Sequence, residues 1–132
     1  MFRYQIIIEY DGTNFVGWQA QINGKSIQKE IEKILSKILR EEIKIHGSGR
    51  TDAGVHAKNQ SAHFDYENNI LNKYKLISSL NFFLNKKNIS IKRINKKNLK
   101  FHARFSAKER EYEYIILNRN SSPVLDKNKV WH

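Results

Sequence analysis

The chain contains no cysteine in 132 residues. That excludes disulfides, a thiol nucleophile and a thiolate zinc site. No apolar run approaches the length of a membrane span. Met1 leads directly into Phe2-Arg3-Tyr4-Gln5-Ile6-Ile7-Ile8, with no charged leader region and no small-residue cleavage site. A cytoplasmic protein with no signal peptide and no membrane role is therefore expected. The histidines at 46, 56, 63 and 102 show no ligand spacing such as H-x-x-x-H, so no metal is expected and the imidazoles are read as structural or phosphate-contacting. No Gly-Lys-Ser/Thr follows the glycine-rich stretch, so it is not a P-loop. Acidic residues are scarce in one half. Residues 1–66 hold nine Lys/Arg against eight Asp/Glu, whereas residues 67–132 hold fifteen against five. The net charge of +11 is therefore concentrated in the second half. A basic half is the footprint of a polyanionic partner, nucleic acid first. Abundant Lys, Asn and Ile throughout give the competing reading, a compositional bias that leaves surface lysines without purpose.

What is present suits a single domain with a real core, since 39% of residues are hydrophobic. Phe2 to Glu9 reads as a strand, rich in aromatic and β-branched residues. The Asp11-Gly12 turn signal breaks it, and a loop with Phe15 and Trp18 follows. These two aromatics either pack under the loop or support a nucleic-acid cleft. Ser26 is placed to cap a helix. Ile27, Ile31, Ile34, Leu35, Ile38 and Leu39 recur on one face, and the helix is expected to end near Arg40. Lys29, Glu30, Lys33 and Lys37 lie off that stripe and read most simply as a solvated face. Ile43-Lys44-Ile45-His46 alternates as a short strand, and Gln60 to Tyr66 reads as the next, with Ala62, Phe64 and Tyr66 on one side. Asn72 can cap a second helix with Leu76, Ile77, Leu80, Phe83 and Leu84 on its apolar face. Ile89 to Ile94 reads as a fourth strand. Arg110 to Leu117 reads as a fifth, with Tyr112 and Tyr114 sharing a face.

The resulting order, β-α-β-β-α-β, is the ferredoxin-like arrangement: an α+β fold, an antiparallel sheet with both helices on one face, here extended by a further strand. Its open face suits nucleic-acid binding, though the RNP1 pattern of an RRM is missing. Such a fold does not by itself fix a function.

Between the second and third strands lies Gly47-Ser48-Gly49-Arg50-Thr51-Asp52-Ala53-Gly54-Val55-His56, which holds three of the six glycines. Glycines around a charged pair mean a backbone that turns tightly and approaches something closely. A carboxylate there can act as nucleophile, base or oxocarbenium stabiliser. Arg50 could pair with Asp52, which would keep the acid ionised and fix its rotamer. No second carboxylate nearby completes an acid/base pair, which argues against an ordinary glycosidase. Residue chemistry alone leaves open whether Asp52 is a catalyst or half of an Arg–Asp pair tying down a turn. Tyr112 and Tyr114 likewise either pack on the sheet or stack on a base.

Gly49-Arg50-Thr51-Asp52-Ala53-Gly54-Val55-His56-Ala57 resembles the signature loop of the tRNA pseudouridine synthase A family. Glu9-Tyr10-Asp11-Gly12, Gly17-Trp18-Gln19, Ser26-Ile27-Gln28, His63-Phe64 and Phe101-His102-Ala103-Arg104-Phe105-Ser106-Ala107, with Arg110, Tyr112 and Tyr114, follow in the family's order. The resemblance implies isomerisation of uridine to pseudouridine at positions 38, 39 and 40 of the tRNA anticodon stem-loop, without cofactor or metal, by a homodimer. It implies Asp52 as the catalytic aspartate and Arg50 as the arginine that pairs with it and helps displace the base. Tyr112 would stack on the uracil, and Arg104 and Arg110 would bind substrate. Asn85 stands where the family usually has proline, which is expected to alter a turn and little else. Family members are about twice this length. Residues 1–118 are thus expected to form the N-terminal half of a pseudouridine synthase fold, with 119–132 starting the connection to a missing C-terminal half. The alternatives are a non-catalytic RNA-binding fragment or remnant, and an unrelated ferredoxin-like domain.

Overall fold

The computed structural model describes residues 1–19 and 24–106. The expected fifth strand, the boundary near residue 118, Arg110, Tyr112 and Tyr114 lie outside the described residues. Within them the elements are β1 (Phe2–Tyr10), α1 (Ile27–Leu39), β2 (His46–Gly47), β3 (Ala57–Tyr66), α2 (Lys73–Leu84) and β4 (Ile89–Lys97). The four strands form one antiparallel sheet in the order β2-β3-β1-β4. This α+β architecture has the strand order of the ferredoxin-like arrangement.

Alternation along the strands decides which face is covered. Tyr4, Ile6, Ile8 and Tyr10 all point from β1 into the core and are buried. Their partners across the ladder continue the layer: Tyr4 lies opposite Phe64, Ile6 opposite Ala62 and Ile94, and Ile8 opposite Ile91. Tyr4 and Phe64 stack with ring centroids 5.5 Å apart. Ile27, Ile31, Ile34 and Leu35 from α1 and Leu76, Leu80 and Leu84 from α2 join these residues in one cluster, so both helices cover the same sheet face. A register shift between Ile7 and Ile8 interrupts the β1–β4 ladder, as a bulge does.

The caps read from the sequence are present. Ser26 Oγ accepts from the Lys29 N–H at 3.1 Å, and Asn72 Oδ1 accepts from the Lys75 N–H at 3.0 Å. Arg40, with φ of 59°, closes α1 in the left-handed region. At Asn85 the backbone N–H donates to the Asn81 carbonyl and a 3-10 turn, Asn85–Lys87, follows. A proline there could not make that bond.

One expectation needs correcting. Ile43-Lys44-Ile45 does not join the sheet; β2 is confined to His46–Gly47. The alternation that suggested a strand is genuine, because Ile43 and Ile45 are buried. Their backbone, however, bonds to α1 side chains. The Ile43 N–H donates to Ser36 Oγ at 2.9 Å, and the Ile45 N–H donates to the buried Glu32 carboxylate at 2.9 Å. Helix side chains thus do the work of a neighbouring strand.

Phe64 is fully buried at the sheet centre. Phe64→Ala is expected to cost about 3–5 kcal/mol, read as a lower urea midpoint with an unchanged denaturant slope.

Candidate active site

The residues carrying Asp52 are held by the turn that follows β1. Two glycines make this possible. A Cβ on Gly12 would fall far inside contact distance of the Val55 carbonyl oxygen. A Cβ on Gly17, whose φ is +115°, would do the same to the Thr51 carbonyl oxygen. Backbone therefore rests on backbone. The Trp18 N–H donates to the Thr51 carbonyl at 3.1 Å, and Tyr10 Oη and Thr51 Oγ1 are hydrogen-bonded at 2.8 Å. On the far side of Asp52, the Gly12 N–H donates to His56 Nδ1 at 2.9 Å. The Asp11 carboxylate also lies 3.1 Å from that nitrogen. The neutral ring accepts from Gly12, whereas a protonated ring would donate to Asp11. Within the loop, the Val55 N–H donates to the Asp52 carbonyl at 3.2 Å, and Gly54, with φ of +79°, turns the chain.

Asp52 is thereby fixed at its main chain and exposed at its side chain. Among the described residues no ion pair joins it to Arg50, which is also exposed. The expected pairing is therefore not present here. Held by the flanking bonds, the loop does not require that pair to keep its shape.

Arg50 instead lines an open cavity of about 550 Å³, together with Trp18, Ser48, His102, Arg104 and Phe105. The described lining brings the expected Arg50 and Arg104 together and does not include Asp52, two residues away from Arg50. Arg104 is exposed, with its guanidinium 5.9 Å from the centre of the Phe105 ring. Trp18 bears out the core-packing reading. It is buried in the core cluster and also forms a wall, tight against Gly47. Phe15 is core packing.

The anchoring of residues 99–103 by Arg3 and Asp65 escaped sequence reading. The sheet face away from the helices is not bare. Arg3 makes two bonds to the Asp65 carboxylate, at 2.8 and 2.9 Å, and Arg3 Nη1 donates to the carbonyls of Leu99 and Phe101 at 2.9 and 2.6 Å. The Ala103 N–H donates to Nδ1 of the buried His63 at 3.0 Å. These bonds lay residues 99–103 against β1 and β3 and bring His102, Arg104 and Phe105 to the cavity. The outward alternation of Arg3 and Asp65 was the available signal, since they are direct partners in the ladder.

Three imidazoles meet here. His63 stacks on His46 with centroids 5.0 Å apart and meets His102 edge-on at 4.6 Å. Burial, reinforced by Arg3 and the other two histidines, lowers the His63 pKa to about 4. Burial also lowers that of His102, with His46, Arg3 and Arg104 adding to the effect. Geometry agrees with neutrality. His63 Nδ1 accepts from Ala103, and His102 Nδ1 accepts from the N–H groups of Arg104 and Phe105 at 3.1 and 3.3 Å. Among the described residues no group of three or more His, Asp or Glu is arranged to hold a metal ion. No described helix is long and apolar enough to cross a membrane.

Two tests follow from this geometry. Gly17→Ala places a side chain against the Thr51 carbonyl at a positive φ and is expected to cost about 1–3 kcal/mol, measured by chemical denaturation. His63 binds its proton near 6.5 when unfolded but only near 4 when folded. Stability is therefore expected to rise with pH across that window and to be lost as pH falls through it. Urea midpoints measured from pH 7 to 4 read this slope, and His63→Gln should flatten it.

With this geometry in place, comparison with known proteins is informative. Residues 6–106 match the family model described as tRNA pseudouridine synthase. The tRNA pseudouridine synthase A of Pelagibacter ubique (strain HTCC1062) is 62% identical over 132 residues, covering all of this chain and 54% of that protein. The enzyme of the same name from Ehrlichia ruminantium (strain Gardel) is 45% identical over 130 residues, 98% of this chain and 52% of that protein. That from Neorickettsia sennetsu (strain ATCC VR-367 / Miyayama) is 43% identical over 130 residues, 98% of this chain and 54% of that protein. The chain spans about half the length of the curated relatives it matches. A family model that covers the sheet, both helices and the Asp52 loop establishes the relationship: the chain belongs to the tRNA pseudouridine synthase family.

Proposed function

We propose that the chain carries the catalytic half of a tRNA pseudouridine synthase and that Asp52 is its catalytic residue. The observation that carries this reading is the loop itself: an exposed carboxylate on a backbone gripped on both sides, at Thr51 and at Val55–His56. A rigid scaffold presenting one acid is what a reaction with a single carboxylate requires. The substrate is a uridine in the tRNA anticodon stem-loop, at positions 38, 39 and 40. Asp52 attacks C1′ of the ribose or otherwise assists as the C1′–N1 bond breaks. The detached uracil turns, C5 bonds to C1′ and displaces any bond C1′ has made to Asp52, and the proton from C5 is lost while N1 gains one. The net change is an isomerisation, with no oxidant and no added water.

The target base must first leave its stack, at a cost of roughly a few kcal/mol. The cavity beside the loop supplies groups suited to a displaced nucleotide. Arg50 and Arg104 offer cations for phosphate, and Phe105 and His102 offer faces for stacking. Tyr112 stacks on the uracil in this reading, with Arg110 a further substrate contact. Residues 1–118 form the N-terminal half of the fold, and 119–132 lead to the second. The complete enzyme works in the cytoplasm as a homodimer.

A second reading is favoured by one observation, the coverage of only about half of each relative. In it, the chain binds RNA without turning it over. Release of tritium from C5-labelled uridine in tRNA separates the two. The catalytic reading expects release by the wild-type chain and its loss, by at least about 10³-fold, in Asp52→Ala, with tRNA binding retained. Wild-type turnover in Asp52→Ala would overturn the assignment. Binding without any release by the wild-type chain would favour the second reading.

A further inference from the structure

The two helices carry a feature that the cavity chemistry does not use. Lys29, Lys33 and Lys37 recur at four-residue intervals on α1, and all three are exposed. They form a row of about 12 Å at 1.5 Å rise per residue. Exposed Lys25 precedes the row and exposed Arg40 follows it. An ordinary solvated helix face mixes signs, and here the acids have been removed from it. Glu32 is buried and accepts from the Ile45 N–H. Glu30 is paired with Lys87, its side chain only 12% exposed. Among the described residues no carboxylate lies within 4.0 Å of Lys29, Lys33 or Lys37. Like charges four apart on a helix repel, so the row is a standing cost that a polyanion would relieve.

The row also starts at the site. Lys25 accepts the Val16 N–H at 2.8 Å, and Gly17 and Trp18 accept the N–H groups of Ile27 and Gln28 at 3.1 and 2.9 Å. Trp18 in turn bonds to Thr51. The cationic line therefore leaves the loop that grips Asp52 and runs away from it along α1. We infer that this row is a phosphate rail for the RNA strand flanking the target nucleotide, a contact separate from the cavity. The inference rests on the reading of the chain as an RNA-modifying protein. RNA fits the row better than a lipid surface does. The apolar residues of α1, Ile27, Ile31, Ile34 and Leu35, are spent in the core, leaving none to insert among acyl chains.

The test is equilibrium binding of tRNA to the 132-residue chain over a range of salt concentrations. The wild type is compared with Lys29→Gln/Lys33→Gln/Lys37→Gln. Gln matches Lys closely in helix propensity, and an unchanged circular dichroism spectrum and midpoint establish that the variant is folded. The rail predicts that the slope of log K against log salt shrinks by about 0.7–0.9 per lysine, about 2–3 for the three. Affinity at low salt falls at least about tenfold. A triple variant with the wild-type slope overturns the rail and leaves the RNA-modifying reading standing. A wild-type chain that binds no tRNA at any salt overturns both. Vesicles of phosphatidylserine provide the other arm: lysine-dependent binding to them, with tRNA binding unaltered in the variant, overturns the rail in favour of a membrane contact.

Discussion

The approach of two backbones is the constraint on which the site depends. Gly12 and Gly17 have no side chain because Val55 and Thr51 occupy that space. The contact removes freedom from both loops at once. The turn after β1 cannot move without carrying the residues around Asp52, and those residues cannot shift without opening the turn. β1 is an interior strand, paired to β3 on one side and β4 on the other. A strand paired on both edges therefore ends at the turn that holds the loop bearing the acid. Loops are ordinarily the mobile part of a fold; this one is held by hydrogen bonds on either side of Asp52, to Thr51 and to the His56 ring. The side chain remains exposed, which separates the residue that must meet a substrate from the residues that must hold it.

The opposite wall is assembled by different means. Residues 99–103 have no place in the sheet, and local turn bonds satisfy only some of their backbone groups. Arg3 and His63 supply partners from the sheet surface. Arg3 is itself oriented by Asp65, so one guanidinium serves both a carboxylate and two carbonyls. His63 must be neutral to accept from Ala103, and its burial enforces that state. The same histidine packs against His46 and His102. One packed imidazole thus links β2, β3 and the segment that carries Arg104 and Phe105. A cluster of histidines is commonly read as a metal centre. Here two of the three have Nδ1 occupied by backbone donors, and the cluster acts as a structural joint.

Much of this was legible in the residues. The apolar periodicity, the two caps and the strand order all follow from patterns of two and 3.6 residues, which the core of a sheet with two helices must obey. The glycines of the Asp52 loop announced a close approach, though not what would approach; the answer lay in Gly12 and Gly17, forty residues earlier. Two features were hidden for a physical reason. Ile43 and Ile45 alternate as a strand does, but sequence cannot show that Glu32 and Ser36 would satisfy their N–H groups in place of a ladder. His63 lies on the polar side of β3 by alternation, and only the path of residues 99–103 makes that position a buried one. Both features come from long-range backbone hydrogen bonds, which leave no periodic trace.

Glu32 connects these observations. An acid on the charged side of an amphipathic helix is normally solvated. This one turns inward to hold the Ile45 N–H, immediately before the strand that enters the Asp52 loop. Together with the Ser36 bond to Ile43 it guides residues 43–47, and Gly47 then meets Trp18, whose own N–H holds Thr51. With Glu32 buried and Glu30 paired to Lys87, no carboxylate of α1 is left beside Lys29 and Lys33 within ion-pair distance. Local structure and surface charge are therefore not independent properties of this helix. The carboxylate that helps to position the segment before the loop is thus withdrawn from the surface, while the lysines of the same helix stay exposed.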